Sequence, residues 1–113
     1  MKSTAEIRNR TCLVTMSGDF DRSNVDALQA EIEWCLESAS SVVLDFRRVT
    51  FANGSVMSLL HDILDLVGEQ GWLGVAEPLA RIERLFSVAG LLSHKNFRVY
   101  SSLEEALRVI DLD

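Results

Sequence analysis

Val42–Leu60 reads VVLDFRRVTFANGSVMSLL. Val42, Val43, Leu44 and Phe46 form a nearly continuous apolar run, the pattern of a central strand covered on both faces. Asn53, Gly54 and Ser55 supply a polar turn. From there Val56, Leu59, Leu60, Ile63, Leu66 and Val67 recur at helical spacing and predict a helix with a wide buried face. Strand, tight turn and helix in that order make half of a βαβ unit. A serine at such a helix start lies at the positive end of the dipole, where backbone N–H groups lack intrahelical acceptors. That place suits a group that gains and loses phosphate. It is equally the place of an ordinary helix cap.

The chain on either side continues the pattern. Ile7–Arg10 predicts a short edge strand running into a polar turn at Arg8, Asn9 and Arg10. Thr11–Met16 alternates Cys12 and Val14 against Leu13 and Thr15, as a strand does, and Gly18 ends it. A helix is expected from Asp21, with Ser23 and Asp26 in a capping arrangement and Val25, Leu28, Ile32 and Cys35 as its apolar stripe. Trp34 falls at the margin of that stripe. Downstream, Gly68–Gly71 closes the second helix and Trp72–Val75 predicts a third parallel strand. Pro78 suits the first turn of a third helix, in which Leu79, Ile82, Leu85, Phe86 and Ala89 face inward and Gly90 is the stop. Phe97–Tyr100 is the last strand. Ser102 and Glu105 form a capping box for a final helix that buries Leu103, Ala106, Leu107 and Ile110. The expected class is α/β: one domain over residues 1–113, with a single layer of about five mostly parallel strands, and about four helices packed as crossovers.

Composition bounds the function. At 113 residues, with 48% hydrophobic and 25% charged residues, the chain is long enough for one self-sufficient core. A net charge of −6 opposes a nucleic-acid backbone or an anionic membrane as main partner. Met1–Arg10 has no apolar signal core, and no run is long enough to span a bilayer, so a cytoplasmic location is expected. Cys12 lies in an apolar strand and Cys35 on the apolar side of a helix. Their spacing fits no metal site, which predicts two buried free thiols and a reducing compartment.

Motifs for chemistry are largely missing. The sequence has neither GxxxxGK[ST] nor GxGxxG, and no GxSxG elbow. His61 and His94 belong to no metal-spaced cluster, so no metal and no cofactor are expected. Asp19, Asp21 and Asp45 lie in or after strands, where sites of parallel sheets gather. Asp19 and Asp21 also suit plain turn and helix-start positions. The expectation is a protein that is not an enzyme.

Four blocks together resemble the STAS domain, the module of sulfate transporters and anti-sigma factor antagonists. They are LVTMSGDFDRSNVDAL (Leu13–Leu28), VVLDFRRVTFANGSVMSLL, ARIERLFSVAGL (Ala80–Leu91) and FRVYSSLEEAL (Phe97–Leu107). The resemblance implies that Ser55 falls at the position that accepts phosphate from a partner kinase, and that Asp21 borders the same loop. It implies a docking surface of Asp21, Asn53, Gly54, Ser55 and Val56 for a partner that is both anti-sigma factor and serine kinase. Where the family's loop usually reads Asp-Ser-Ser-Gly or Asp-Ser-x-Gly, this chain has Asn53, Gly54, Ser55 and Val56. Asn53 removes an acid beside the acceptor, and Val56 adds a β-branched side chain where glycine is usual. A STAS scaffold of a sensory or transport complex, without phosphorylation, is the alternative that these two residues favour.

Overall fold

The computed structural model describes residues 2–112. In chain order the elements are β1 (Lys2–Arg8), β2 (Thr11–Phe20), α1 (Arg22–Cys35), β3 (Ser41–Ala52), α2 (Gly54–Val67), β4 (Leu73–Ala76) and α3 (Ala80–Val88). A 3₁₀ turn (Leu91–Ser93), β5 (Phe97–Tyr100) and α4 (Leu103–Leu112) complete the chain. The strands form one sheet in the order β1-β2-β3-β4-β5. β1 runs antiparallel to β2, and every other neighbouring pair is parallel. This is the expected α/β architecture.

The strand alternation sorts side chains onto two faces. On one, Cys12, Val14, Met16, Val42, Leu44 and Phe46 meet Leu28 and Ile32 of α1, Val56, Leu60 and Ile63 of α2, and Ile82 and Phe86 of α3. Edge-to-face and tilted aromatic contacts run from Phe20 to Phe46 (6.1 Å), Phe86 (6.3 Å) and Phe97 (5.4 Å) across that core. On the other face a smaller cluster of Leu13, Val43, Trp72, Ala76 and Tyr100 is covered by Ala106 and Ile110 of α4. Leu66 and Leu79, expected inward, are exposed at the edges of their helices.

Several boundaries differ from the sequence reading, for local reasons; β3 runs on to Ala52, and α3 begins at Ala80, so Pro78 precedes the helix and does not sit in its first turn. β1 begins at Lys2 rather than near Ile7, because pairing with β2 supplies the order that its polar sequence does not. β2 passes through Gly18 instead of stopping there. The register slips at Thr15/Ser17 and Gly18/Asp19, and Gly18 takes φ 99°, so the strand bends and continues to Phe20. α1 is capped by Asp21 rather than by Ser23: the Asp21 carboxylate accepts from Ser23 N at 2.9 Å, and Asn24 Oδ1 accepts from Asp21 N at 2.9 Å. At α4, Glu105 N donates to Ser102 Oγ (3.1 Å), but the Glu105 carboxylate turns to the Ser101 hydroxyl (2.7 Å), so only half of the expected box forms.

The cysteine expectation is overturned. Cys12 and Cys35 are fully buried, as expected, but they form a disulfide, with Cα atoms 6.0 Å apart. A separation of 23 residues gives no hint of this proximity. It arises because α1 runs back along the sheet and returns its last residue to the start of β2. The case for a reducing compartment, drawn from free thiols, loses that support.

Candidate functional site

The long β2–β3 pairing builds the site. Its final rungs set Asp19 beside Phe51 and Phe20 beside Ala52, so the turns that follow both strands emerge side by side. One turn carries Asp21 and the start of α1. The other carries Asn53, Gly54 and Ser55 and the start of α2.

Each turn is tied down by its own side chains. Asn53 caps α2, its Oδ1 accepting from Ser55 N at 3.1 Å, and its carbonyl accepts from the N–H groups of Val56 (3.0 Å) and Met57 (3.2 Å). The expectation of an open ring of unpaired amides at this terminus is therefore corrected: Asn53 already satisfies two of them, those of Ser55 and Val56, while Met57 N–H makes the first regular helical bond. Asp21 Oδ1 accepts from the Ser23 hydroxyl (2.5 Å) as well as from its N–H. These bonds, the hydroxyl first and the backbone N–H second, hold the Asp21 carboxyl below its ordinary value. Asn24 Nδ2 donates to Asp19 O at 3.3 Å, and Thr50 Oγ1 donates to Asp19 Oδ1 at 3.0 Å. Arg81 of α3 donates to Thr50 O at 2.6 Å, joining a third element to the site.

Ser55 itself is half-buried. Its hydroxyl makes no hydrogen bond among the described residues, yet it is not sealed from solvent. Gly54 is exposed, with open space where a side chain would stand. Val56 behaves differently from its neighbours: its side chain is fully buried and anchors α2 in the core, so it sets the stance of the turn and presents nothing outward. Phe51, 47% exposed, is a large apolar side chain on the rim that the sequence reading passed over. Thr50 and Arg81 were also missed. Their roles depend on the β2–β3 register and on α3 packing, neither of which leaves a local motif.

The other candidates disperse. Asp45 is buried within β3 and pairs with Arg47 at 2.9 Å, a structural ion pair away from the two turns. His61 Nε2 lies 2.8 Å from Ala89 O, with its ring 5.4 Å from that of His94. Among the described residues no group of three or more His, Cys, Asp or Glu is poised around a metal position. Trp72 is buried, whereas Trp34 is 66% exposed on α1. A groove of about 760 Å³, lined by Trp72, Lys95, Asn96 and Arg98 among others, opens at the opposite end of the parallel strands and contains none of the site residues. No helix among the described residues is long and apolar enough to cross a membrane.

The comparisons agree with the fold. No curated protein matches the chain. Among solved structures, the anti-sigma factor antagonist SpoIIAA in its unphosphorylated form matches with TM-score 0.75 and 18% identity, over 97% of this chain and 98% of that one. SpoIIAA of Bacillus in its phosphorylated form matches with TM-score 0.66 and 17% identity, over 96% and 99%. An anti-sigma factor antagonist of Mycobacterium paratuberculosis gives 0.79 and 22%, over 97% and 93%. The murine anion transporter Slc26a9 gives 0.74 and 14%, over 96% of this chain but 18% of the transporter. At these identities the likeness is one of fold. The sequence profile of the STAS domain, however, matches residues 2–106, nearly the whole chain, and on that match the chain belongs to the STAS domain family.

Proposed function

We propose that this STAS domain is a regulatory docking protein of the anti-sigma factor antagonist kind, switched by phosphate at Ser55. The unmodified chain binds an anti-sigma factor that is also a serine kinase, through the surface of Asp21, Asn53, Gly54 and Ser55, with Val56 holding the turn from beneath. The observation that carries this reading is the Ser55 hydroxyl: without a hydrogen bond among the described residues, reachable from solvent and seated in the first turn of α2, on a surface rather than in a cavity. In the transfer, Ser55 Oγ forms a bond to the γ-phosphorus of ATP, ADP leaves, and the hydroxyl proton passes to a base of the kinase. The partner supplies nucleotide and catalytic groups, so this chain is not an enzyme and needs no cofactor. A cytoplasmic location follows from a partner that consumes ATP.

The switch acts locally. Phosphate adds about −1.5 to −2 charges at neutral pH. At the start of α2 the helix dipole favours that charge, so the fold tolerates it. A partner surface shaped for a neutral hydroxyl does not. A hundredfold loss of affinity requires about 2.7 kcal/mol, which one unpaired interfacial charge supplies.

The test combines the chain with an anti-sigma serine kinase of its own genome and ATP, followed by mass spectrometry and binding. Ser55→Ala is expected to bind and to take no phosphate, and Ser55→Glu to bind about a hundredfold more weakly. Phosphate arriving at another residue, or both variants binding as the parent does, overturns the switch. A second reading, a STAS scaffold without phosphorylation, is favoured by Asn53 and the buried Val56 and by the likeness to a transporter's domain. A partner held by unmodified protein under every growth condition supports it.

A further inference from the structure

β1 is an edge strand: among the described residues β2 is its only neighbour, and none of them pairs with its outer backbone along Lys2–Arg8. Sheets usually blunt such an edge with a bulge, a proline or a covering segment. β1 has no proline, and its register with β2 runs unbroken from Lys2 to Arg8. What it has instead is a charge pattern. Lys2, Thr4 and Glu6 share one face, opposite Ser17, Thr15 and Leu13, and neither Lys2 nor Glu6 makes an ion pair among the described residues.

We propose that a second copy of this chain docks on β1, strand to strand and antiparallel, about a two-fold axis through Thr4. In that register Lys2 stands opposite Glu6 of the second copy, Glu6 opposite its Lys2, and Thr4 opposite its Thr4. Opposite charges directly across a strand pair attract, and like charges repel. Moving the axis to Ala5 sets Lys2 against Arg8 of the second copy. Moving it to Ile7 calls on Arg8, already bonded to Asp111 at 3.2 Å, and on Asn9 and Arg10, which have left the strand with positive φ. The charges therefore select one register.

The helix above the strand independently selects the same axis. α1 lies over β1, with Ser3 Oγ donating to Glu31 at 3.1 Å. Helical spacing puts Ala27, Ala30 and Trp34 on its outer flank, and all three are exposed. Paired antiparallel with its own copy, α1 lays Trp34 over the small Ala27 and Ala30 of the other helix. That match requires an axis midway between positions 27 and 34, which is the level of Glu31 and hence of Ser3 and Thr4. An exposed aromatic facing small residues across a dyad is the composition of a self-complementary interface. The two Glu31 carboxylates near the axis oppose the pairing. The product is a continuous ten-stranded sheet whose two Ser55 sites remain free.

Sedimentation equilibrium of the full chain, from about 1 µM to about 1 mM, covers weak to moderate self-association. A dimer is expected. Lys2→Glu and Glu6→Lys, each alone, are expected to raise its dissociation constant roughly tenfold, and the double variant Lys2→Glu/Glu6→Lys to restore it. Trp34→Ala is expected to weaken the dimer and Glu31→Gln to tighten it. Of the four positions, Lys2, Glu6 and Trp34 are exposed and Glu31 is half-buried, and unchanged far-ultraviolet circular dichroism separates loss of pairing from loss of fold. A chain that stays monomeric through this range, a dimer indifferent to the single charge reversals, or a double variant as weak as its parents overturns the proposal.

Discussion

Removing the Cys12–Cys35 bond tests the feature that the sequence reading missed. The bond closes a loop over a separation of 23 residues. In the chain-entropy account, closure lowers the entropy of the unfolded chain by 2.1 plus 1.5R ln n, about 11 cal/mol/K for this loop, or about 3.4 kcal/mol at 25 °C. The folded side changes little on reduction. Both sulfurs are fully buried among apolar neighbours, and a buried thiol behaves there as a small hydrophobe. Leu28 and Ile32 still hold α1 to the sheet. The expected result is a folded but weaker protein, because a domain has only about 5–15 kcal/mol to lose.

The assay is equilibrium urea unfolding with and without a phosphine reductant, incubated long enough for a bond reached only in opened molecules. With a slope of about 1–3 kcal/mol per molar urea, the midpoint should fall by about 1–3 M on reduction. Thiol titration in denaturant without reductant should find no free thiol. Two thiols per chain would remove the bond itself. Coincident midpoints with and without reductant would refute the loop-entropy reasoning.

Two further predictions test the packing and the site. Asp21→Asn keeps a capping oxygen but removes a carboxyl held below its ordinary value of 3.8 by the Ser23 hydroxyl and N–H. A depressed pKa stabilises above the unfolded value and is lost as pH falls through the folded one. Thermal melts taken downward from about pH 6 should therefore fall more steeply below 3.8 in the parent than in the variant, and parallel curves would contradict the cap. Gly71→Ala directs a methyl group at the Ser40 and Val67 carbonyl oxygens (2.8 Å from the latter), which are backbone atoms and cannot rotate aside, whereas Gly74→Ala meets the Tyr100 and Trp72 rings at 2.8 and 3.0 Å. Urea unfolding should show a loss of about 1–3 kcal/mol or more at Gly71, exceeding that at Gly74, and a Gly71→Ala change within about 0.5 kcal/mol would contradict the close approach.

What the sequence discloses depends on range. The stripes of α2 and α3 and the run Val42–Phe46 are local patterns, and the structure buries the residues they mark or, at Leu85 and Ala89, half-buries them, leaving Leu66 and Leu79 exposed at the margins. The Asn-Gly-Ser turn is local too, so the place of Ser55 in the first turn of α2 was legible. Strand ends were not, because β1 and the last rungs of β2 and β3 are ordered by partners rather than by their own side chains. The same cause hid Thr50, Phe51 and Arg81, which join the site through cross-strand register and α3 packing. It also hid the disulfide, whose cysteines meet only after α1 has crossed the sheet. Asp21 was rightly placed at the helix entry, but the cap itself was assigned to Ser23 and Asp26. Its capping role passes through Ser23 and Asn24, and Asn in the reciprocal position is a weaker signal than the usual Glu or Gln.

The proposed switch has to be read at the surface, and the energies show why. A phosphate on Ser55 competes with the Asn53 side chain for Ser55 N–H, and losing a cap costs a helix about 1 kcal/mol. Against that, Val56, Leu59, Leu60 and Ile63 are essentially fully buried along α2. Each contributes about 1.5–3 kcal/mol of apolar burial. Four such anchors outweigh one cap several-fold, so α2 stays seated and no displacement reaches the sheet. The consequence is confined to the turn, where charge, not shape, distinguishes the two forms. A partner responsive to Ser55 must therefore touch the Asn53–Ser55 turn or the adjoining Asp21 cap directly. One that docks on the far groove beside Trp72 or along β1 would bind both forms alike.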